Sequence, residues 1–185
     1  MKKVVCSMLL CMTMIFGISS VKADNTANQI KFKYKYNRSI TNACYYVDGS
    51  VSVLTSYING AAYDWASKSN PLNMTAVSSN YATHMDFYGK PDSYWGNDGT
   101  VGETLHYLNG GAYIYPNNGD WFYVDIYLNL ERAYNIQGTT AHEIGHALGL
   151  AHWNGNPYSI MAQSGYRLIH TVQTIDNQHL NEIYS

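Results

Sequence analysis

Cysteine is rare in this sequence: only three occur among 185 residues. Cys6 and Cys11 lie in the apolar N-terminal segment, so Cys44 is the single cysteine in the rest of the chain. One cysteine cannot form an internal disulfide, which excludes a disulfide-stapled fold. We therefore expect the fold to rest on packing and bound metal, with Cys44 as a small, buried, apolar residue.

Charged residues are also few, at 13% of the chain, and the formal net charge is −2. Loss of an N-terminal segment that carries three lysines and no acidic residue would change this charge from −2 to −5. A mildly acidic surface argues against nucleic acid as a partner. Internal repeats, low-complexity tracts and charge runs are also lacking, so we expect one compact, monomeric unit.

The start of the chain has the organisation of a secretory signal peptide. Two lysines precede an apolar run that begins at Val4, and small residues lead to a cleavage site after Ala23. The run is shorter than the ~20 apolar residues of a spanning helix, which disfavours an uncleaved membrane anchor. We predict a signal peptide over residues 1–23 and a single domain over residues 24–185. The mature protein would be secreted and extracellular, with no membrane association.

Hydrophobic periodicity predicts both helices and strands. Helices are predicted over residues 51–67, 139–150 and 175–184, and Thr139 or Thr140 would cap the second of them. Strands are predicted over residues 30–36, 73–77, 81–88, 104–108, 112–115 and 122–129, with a glycine-rich loop over residues 89–102. This order favours a mixed sheet with an N-terminal helix packed on it, a second helix, and an irregular C-terminal part that ends in a helix.

The segment HEIGHALGLAH, which begins at His142, indicates a catalytic metal site. His142 and His146 are four residues apart, so on a helix they share one face and can bind one ion. Glu143 lies beside them and is suited to act as the general base for a zinc-activated water. His152 can reach the same ion only if the helix ends first, and Gly149 can end it by adopting a left-handed conformation. Three imidazoles and one open position predict zinc; the alternative is an ordinary buried helix.

The full pattern H-E-x-x-H-x-x-G-x-x-H resembles the zinc motif of the metzincin proteases, and most of all that of the matrixins. The resemblance implies a metzincin-like zincin fold of the α+β class, with a twisted mixed sheet and an active-site helix. It implies that Met161 forms an apolar floor beneath the imidazoles. It also implies an antiparallel edge strand within Thr104–Tyr115 that pairs with an extended peptide. Tyr166 lies one residue later than the usual matrixin tyrosine, and either lines the substrate pocket or only packs.

Further metal sites have little support in the sequence. His84 and Asp86 resemble part of a structural zinc site, but only His106 is nearby as a third ligand, so ordinary strand histidines are the default. Carboxylates and carbonyls within Asp92–Asp98 would suit calcium, but their spacing matches no known loop. We therefore expect one catalytic Zn²⁺ and treat Ca²⁺ as unsupported.

The sequence thus predicts a secreted zinc endopeptidase that hydrolyses peptide bonds of extracellular proteins, with extended peptides or proteins as substrates. Two other hypotheses are left open. A non-catalytic zinc-dependent adhesin would keep the fold without turnover, although a pure binding site has no need of Glu143. A protein that binds cell walls or glycans would use the aromatic surface that 18 tyrosines and 4 tryptophans provide.

Overall fold

The arrangement of strands and helices comes from a computed structural model that describes residues 30–69, 71–97, 99–132, 134–163 and 165–185. The predicted signal peptide lies outside the described residues. In chain order the elements are β1 (Ala43–Val47), a 3-10 helix (Gly49–Leu54), α1 (Thr55–Lys68), β2 (Met74–Val77), β3 (Met85–Lys90), α2 (Asp92–Trp95), β4 (Gly102–Tyr107), β5 (Tyr113–Ile114), β6 (Tyr123–Asn129), α3 (Ile136–Ala147) and α4 (Thr174–Tyr184). None of the described helices is long and apolar enough to cross a membrane.

The described strands form one mixed sheet in the order β2-β1-β3-β6-β4-β5. β2, β1, β3 and β6 pair in parallel, whereas β4 runs antiparallel to both β6 and β5. Parallel neighbours need a crossover connection, and α1 provides one between β1 and β2. β5 pairs only with His106 and Tyr107 of β4, so one edge of the sheet ends on a very short strand. The predicted α+β class and mixed sheet are confirmed.

The two faces of the sheet differ because side chains alternate along each strand. On β6, Val124, Ile126 and Leu128 are fully buried, whereas Tyr123 and Tyr127 are half-buried on the opposite face. The buried set faces α3, and the aromatic set forms part of a tyrosine-rich outer face. Burial of each large apolar side chain contributes roughly 1.5–3 kcal/mol, so this alternation fixes the register of β6.

The helix α1 packs against α3 through a stripe of buried residues at helical spacing. Ile58, Ala61, Ala62 and Trp65 are almost fully buried. The indole Nε1 of Trp65 donates a hydrogen bond of 2.8 Å to the carbonyl of Ala141 in α3. Small residues at two of these positions let the helices approach closely. α1 therefore supports α3 through direct helix–helix packing.

The prediction of a strand over residues 30–36 is wrong. The segment bends at Lys33 and Tyr34 and forms only two isolated bridges, Lys31 with Leu150 and Tyr36 with Trp121. Alternation in the sequence reflects the alternate exposure of these residues, and periodicity alone cannot distinguish such a segment from a strand that pairs within a sheet. The true strand here, β1, is absent from the predicted set because its sequence, ACYYV, has no alternation of apolar and polar residues.

The helix α3 begins earlier than predicted. Asn135 is its N-cap, and the Asn135 Oδ1 atom accepts a hydrogen bond of 2.8 Å from the amide of Gly138. Thr139 and Thr140, the predicted caps, lie inside the helix and are buried. The Thr140 hydroxyl instead donates to the carbonyl of Ile136 at 2.8 Å. Threonine favours caps in general, but here an asparagine one turn earlier satisfies the free amides.

Replacement of Asn135 by alanine should lower the free energy of unfolding by about 1 kcal/mol, because a free amide of α3 loses its acceptor. Urea unfolding of the Asn135→Ala protein measures this loss. Tyr134→Ala is the matched control, since Tyr134 is 98% exposed and should change stability very little. Equal stability of the two variants would contradict the cap assignment.

Candidate metal centre

Three histidines converge at the C-terminal half of α3 and just beyond it. His142 and His146 lie four residues apart on α3, which places both rings on one face. His152 follows the helix, and its Nε2 atom is 3.1 Å from the Nε2 atoms of both other rings, which are also 3.1 Å apart. In the part of the chain that the structure describes, they form the only group of three or more His, Cys, Asp or Glu side chains that could hold a metal ion.

The convergence of His152 depends on how α3 ends. Gly149 follows the helix with a φ of +105°, a conformation that strains any residue with a Cβ atom. The amides of Gly149 and Leu150 donate to the carbonyls of His146 (3.0 Å) and Gly145 (2.9 Å). These two bonds turn the backbone back across the last helical turn. The chain therefore reverses at position 149, and His152 returns to the face that carries the other two rings.

Side chains from outside α3 bind the last carbonyl groups of the helix. These carbonyls have no amide donor one turn further along the helix, because the helix has ended. The pairs are His106 Nε2 with His146 O (3.2 Å), Trp121 Nε1 with Ala147 O (2.9 Å), and Tyr184 OH with Leu148 O (3.0 Å). Each acceptor is a carbonyl oxygen, so each side chain is the donor. Burial lowers the pKa of His106 to about 4, so its ring is neutral at physiological pH. No local motif in the sequence marks these three residues as part of the site.

Main-chain carbonyls also orient two of the converging rings. His142 Nδ1 lies 2.7 Å from the Ile160 oxygen, and His146 Nδ1 lies 2.8 Å from the Leu150 oxygen. A carbonyl oxygen can only accept, so each Nδ1 carries the proton and each Nε2 presents a lone pair. Burial is the main cause that holds the pKa of His142 and of His146 well below the usual range. Burial also lowers the pKa of His152 to about 4, so all three rings are neutral.

Neutral imidazoles with converging lone pairs are the ligands that zinc binds in proteins. Two nitrogens that share a tetrahedral zinc ion lie roughly 3.3 Å apart, from the usual Zn–N distance of about 2.0–2.1 Å. The observed separations of 3.1 Å are close to this value. With three protein ligands, a tetrahedral zinc keeps one position for water or substrate, as in catalytic rather than structural sites. The residues present therefore fit a catalytic zinc ion.

Glu143 lies beside His142 and is buried, with a relative exposure of 4%. Its Oε2 atom accepts a hydrogen bond of 2.8 Å from the Thr104 hydroxyl of β4, which also lies 3.0 Å from the Glu143 carbonyl. Burial raises the pKa of the Glu143 carboxyl to about 7, although the Thr104 hydrogen bond acts in the opposite direction. A carboxyl with a pKa near neutrality can both accept and release a proton at physiological pH.

The turn that contains Met161 packs directly against α3. A Cβ atom at Gly145 would clash with the Met161 sulfur, so glycine at position 145 lets the thioether lie beside the ligand helix. Asp176, at the start of α4, accepts hydrogen bonds from the Ser159 hydroxyl (2.5 Å) and the Ile160 amide (3.0 Å). Asp176 therefore fixes the turn, and it also lies in the first turn of α4, where a carboxylate is favourable.

The other residues singled out in the sequence do not contribute to the group of converging metal ligands. Tyr166 is 60% exposed, in the segment after the methionine turn. His84 is buried, and its Nδ1 lies 3.1 Å from the Cys44 sulfur, so Cys44 is a half-buried hydrogen-bonding residue and not the fully buried apolar one expected. His84, Asp86 and His106 do not form a ligand group within the described residues.

The acidic segment that could suit calcium is engaged in other contacts. Asp92 forms an ion pair with Arg132 and accepts a hydrogen bond of 3.0 Å from the side chain of Asn129. Asp98 lies outside the described residues. Both carboxylate oxygens of Asp92 therefore have partners within the protein.

The helix with its HExxH face, the glycine reversal and the third histidine define a zinc-dependent peptidase of the metzincin type. A sequence model of the matrixin family matches residues 18–185. The chain therefore belongs to the matrixin family, and it carries a zinc metalloendopeptidase domain.

Two solved structures of myroilysin match this chain. A crystal structure of myroilysin has a TM-score of 0.51 at 13% sequence identity, over 86% of this chain and 92% of that one. Another structure of myroilysin has a TM-score of 0.44 at 15% identity, over 69% of this chain and 57% of that one. This chain thus spans little more than half of the second structure. At such identities the likeness concerns the fold alone.

Replacement of Gly149 by alanine should destabilise the protein by roughly 1–2 kcal/mol and weaken zinc binding, because the strained backbone would relax and move His152. Unfolding curves and zinc titration measure the two effects. Gly155→Ala is the control, since a Cβ atom there would meet its nearest neighbour at an ordinary 3.5 Å. Zinc affinity and stability equal to those of the control would contradict the role of Gly149.

Proposed function

We propose that this protein is a secreted zinc endopeptidase that hydrolyses peptide bonds of extracellular proteins, with zinc held by His142, His146 and His152. The observation that carries the proposal is the juxtaposition of three neutral Nε2 atoms, 3.1 Å apart, with a buried carboxyl group. A metal-binding protein without turnover would gain nothing from a buried carboxyl beside an open coordination position. Family membership supports the same conclusion.

Glu143 is the general base of this proposal. When bound, zinc supplies Lewis acidity toward a water molecule and the scissile carbonyl. Glu143 accepts a proton from the attacking water and then donates it to the nitrogen of the leaving amine. Thr104 holds the Oε2 atom of this carboxyl in position, which leaves Oε1 to exchange the proton. The raised pKa of Glu143, about 7, supports both transfers.

The substrate in this proposal is an extended peptide that lies along β4. Thr104 ties this strand directly to Glu143, so a chain bound to β4 would pass the reacting groups. β5 covers only the end of β4, at His106 and Tyr107. Main-chain pairing would supply affinity with little dependence on sequence. We further propose a monomer that acts outside the cell, after removal of residues 1–23, without nucleic-acid or membrane partners.

The glycan-binding alternative has less support, because neighbouring side chains cover part of the aromatic outer face. Tyr107 and Tyr123 are stacked, with ring centroids 4.8 Å apart and an interplanar angle of 10°. The Lys90 ammonium lies 4.6 Å from the ring centroid of Tyr127 and also covers Tyr94. Sugar stacking needs an accessible ring face, and one face of each of these rings is already covered within the protein.

Replacement of Glu143 by glutamine should reduce kcat/KM at least about 100-fold, since general acid–base groups contribute about 10²–10⁴-fold. Zinc content should stay at one ion per chain, because Glu143 is not a ligand. Peptide cleavage and elemental analysis measure the two quantities. Glu131→Gln is the control, since Glu131 is exposed and its carboxylate accepts a hydrogen bond from the Asp92 amide, away from the metal centre. Full activity of Glu143→Gln would end the assignment.

Removal of zinc by a chelator should abolish hydrolysis and lower the Tm, because an ion that binds only the folded state stabilises it. An unfolded protein substrate, incubated with and without chelator, reports cleavage through mass spectrometry of the products. Added Zn²⁺ should restore the original cut sites. Undiminished cleavage after complete metal removal would contradict a zinc enzyme.

A further inference from the structure

Arg167 is a half-buried cation next to the metal centre. Its flanking residues Tyr166 and Leu168 are 60% and 66% exposed, so the side chain of Arg167 turns inward while its neighbours face solvent. The Arg167 Nη1 atom donates a hydrogen bond of 3.2 Å to the carbonyl of Ile160. The same oxygen accepts the 2.7 Å bond from Nδ1 of His142. One carbonyl group therefore separates the guanidinium from a zinc ligand.

Most hydrogen-bond donors of this guanidinium have no protein partner among the described residues. Arginine offers five N–H groups, and the bond to Ile160 is the one side-chain hydrogen bond that the described part of the chain gives Arg167. The Nε atom is buried and finds no acceptor within that part. The ion pairs found in the described part of the chain do not include Arg167. Buried donors without acceptors are rare in native proteins, and one explanation is a ligand that satisfies them.

The acidic groups whose charges act on Arg167 already accept hydrogen bonds from other residues. Glu143 and Asp176 both act on Arg167 through their charges. Asp176 accepts bonds from Ser159, Ile160 and the Gln173 amide, and Glu143 accepts one from Thr104. Neither carboxylate forms a direct ion pair with the guanidinium. The positive charge is thus set beside the reacting groups without a dedicated counter-ion.

We propose that Arg167 determines cleavage specificity by binding the side-chain carboxylate of an Asp or Glu residue near the scissile bond. This inference rests on the proposed peptidase function. A planar guanidinium matches a carboxylate with two parallel hydrogen bonds, which lysine or a neutral donor cannot reproduce. A substrate carboxylate would supply the missing acceptors and neutralise a partly desolvated charge. A substrate with a neutral residue at that place would leave the donors unsatisfied and bind less well.

The test compares peptides that carry either Glu or Gln at each of the three positions on either side of the cut. At one position, the wild-type protein should cleave the Glu peptide with a kcat/KM at least about tenfold above that of the Gln peptide. Arg167→Gln should bring this ratio near one and still cleave the Gln peptide. Arg167→Glu should favour the corresponding Lys peptide. Each peptide is made with a free and with an amidated C-terminus. Cleavage that depends on the terminal carboxylate and not on the Glu side chain would overturn the proposal.

Binding gives a readout that does not depend on turnover. Fluorescence anisotropy with the Glu143→Gln protein should show the same preference for the Glu peptide, and the added Arg167→Gln change should remove it. Failure of all peptide hydrolysis would count against the peptidase function, whereas equal binding of Glu and Gln peptides would count against Arg167. Arg132→Gln is the matched control and should keep the wild-type ratio, because Arg132 pairs with Asp92. The zinc content and Tm of each variant show whether loss of the hydrogen bond to Ile160 alters the metal centre. An unchanged ratio of kcat/KM between the Glu and Gln peptides in Arg167→Gln would overturn the proposal.

Discussion

The reversal of the chain at Gly149 is the constraint on which the metal centre depends. A helix that continued past this residue would carry His152 away from the other two rings, since each residue turns the helix by about 100°. The reversal is held at both ends of the turn. Backbone amides bind the carbonyls of Gly145 and His146. Donors from β4, from Trp121 just before β6, and from α4 bind the last carbonyls of α3. Elements distant in sequence thereby fix the geometry of one ion site.

Burial sets the chemistry of the centre in two ways that agree. Desolvation disfavours the charged forms of both imidazoles and carboxyls. It keeps the three histidines neutral, as metal ligands must be, and it raises the pKa of Glu143 toward neutrality. Burial therefore gives both the histidine ligands and the carboxyl the protonation properties that catalysis near neutral pH needs. The Thr104 hydroxyl offsets only part of this effect, and its larger contribution is to hold the carboxyl in place.

The metal-binding pattern could be read from the sequence because its spacing is local. Residues 142–152 carry the helical period, the glycine and the third histidine within one continuous segment. The supporting residues could not be found in this way. His106, Trp121 and Tyr184 lie 26 to 40 residues from the carbonyls they bind, and a main-chain acceptor leaves no trace in the sequence. The false strand at residues 30–36 has the same origin, since alternation reports burial and not the identity of a pairing partner.

The peptide unit between Ile160 and Met161 joins the metal centre to the surrounding structure. On its N–H side, the Met161 amide donates to the Ser159 hydroxyl at 3.0 Å, and that hydroxyl donates to Asp176. On its carbonyl side, the Ile160 oxygen accepts from both His142 and Arg167. A shift of this unit must therefore move the hydrogen bond of a zinc ligand and that of the guanidinium together. Because Asp176 belongs to α4, the C-terminal helix helps to set the orientation of the metal ligand His142. It also helps to set the position of Arg167, which binds the same carbonyl oxygen.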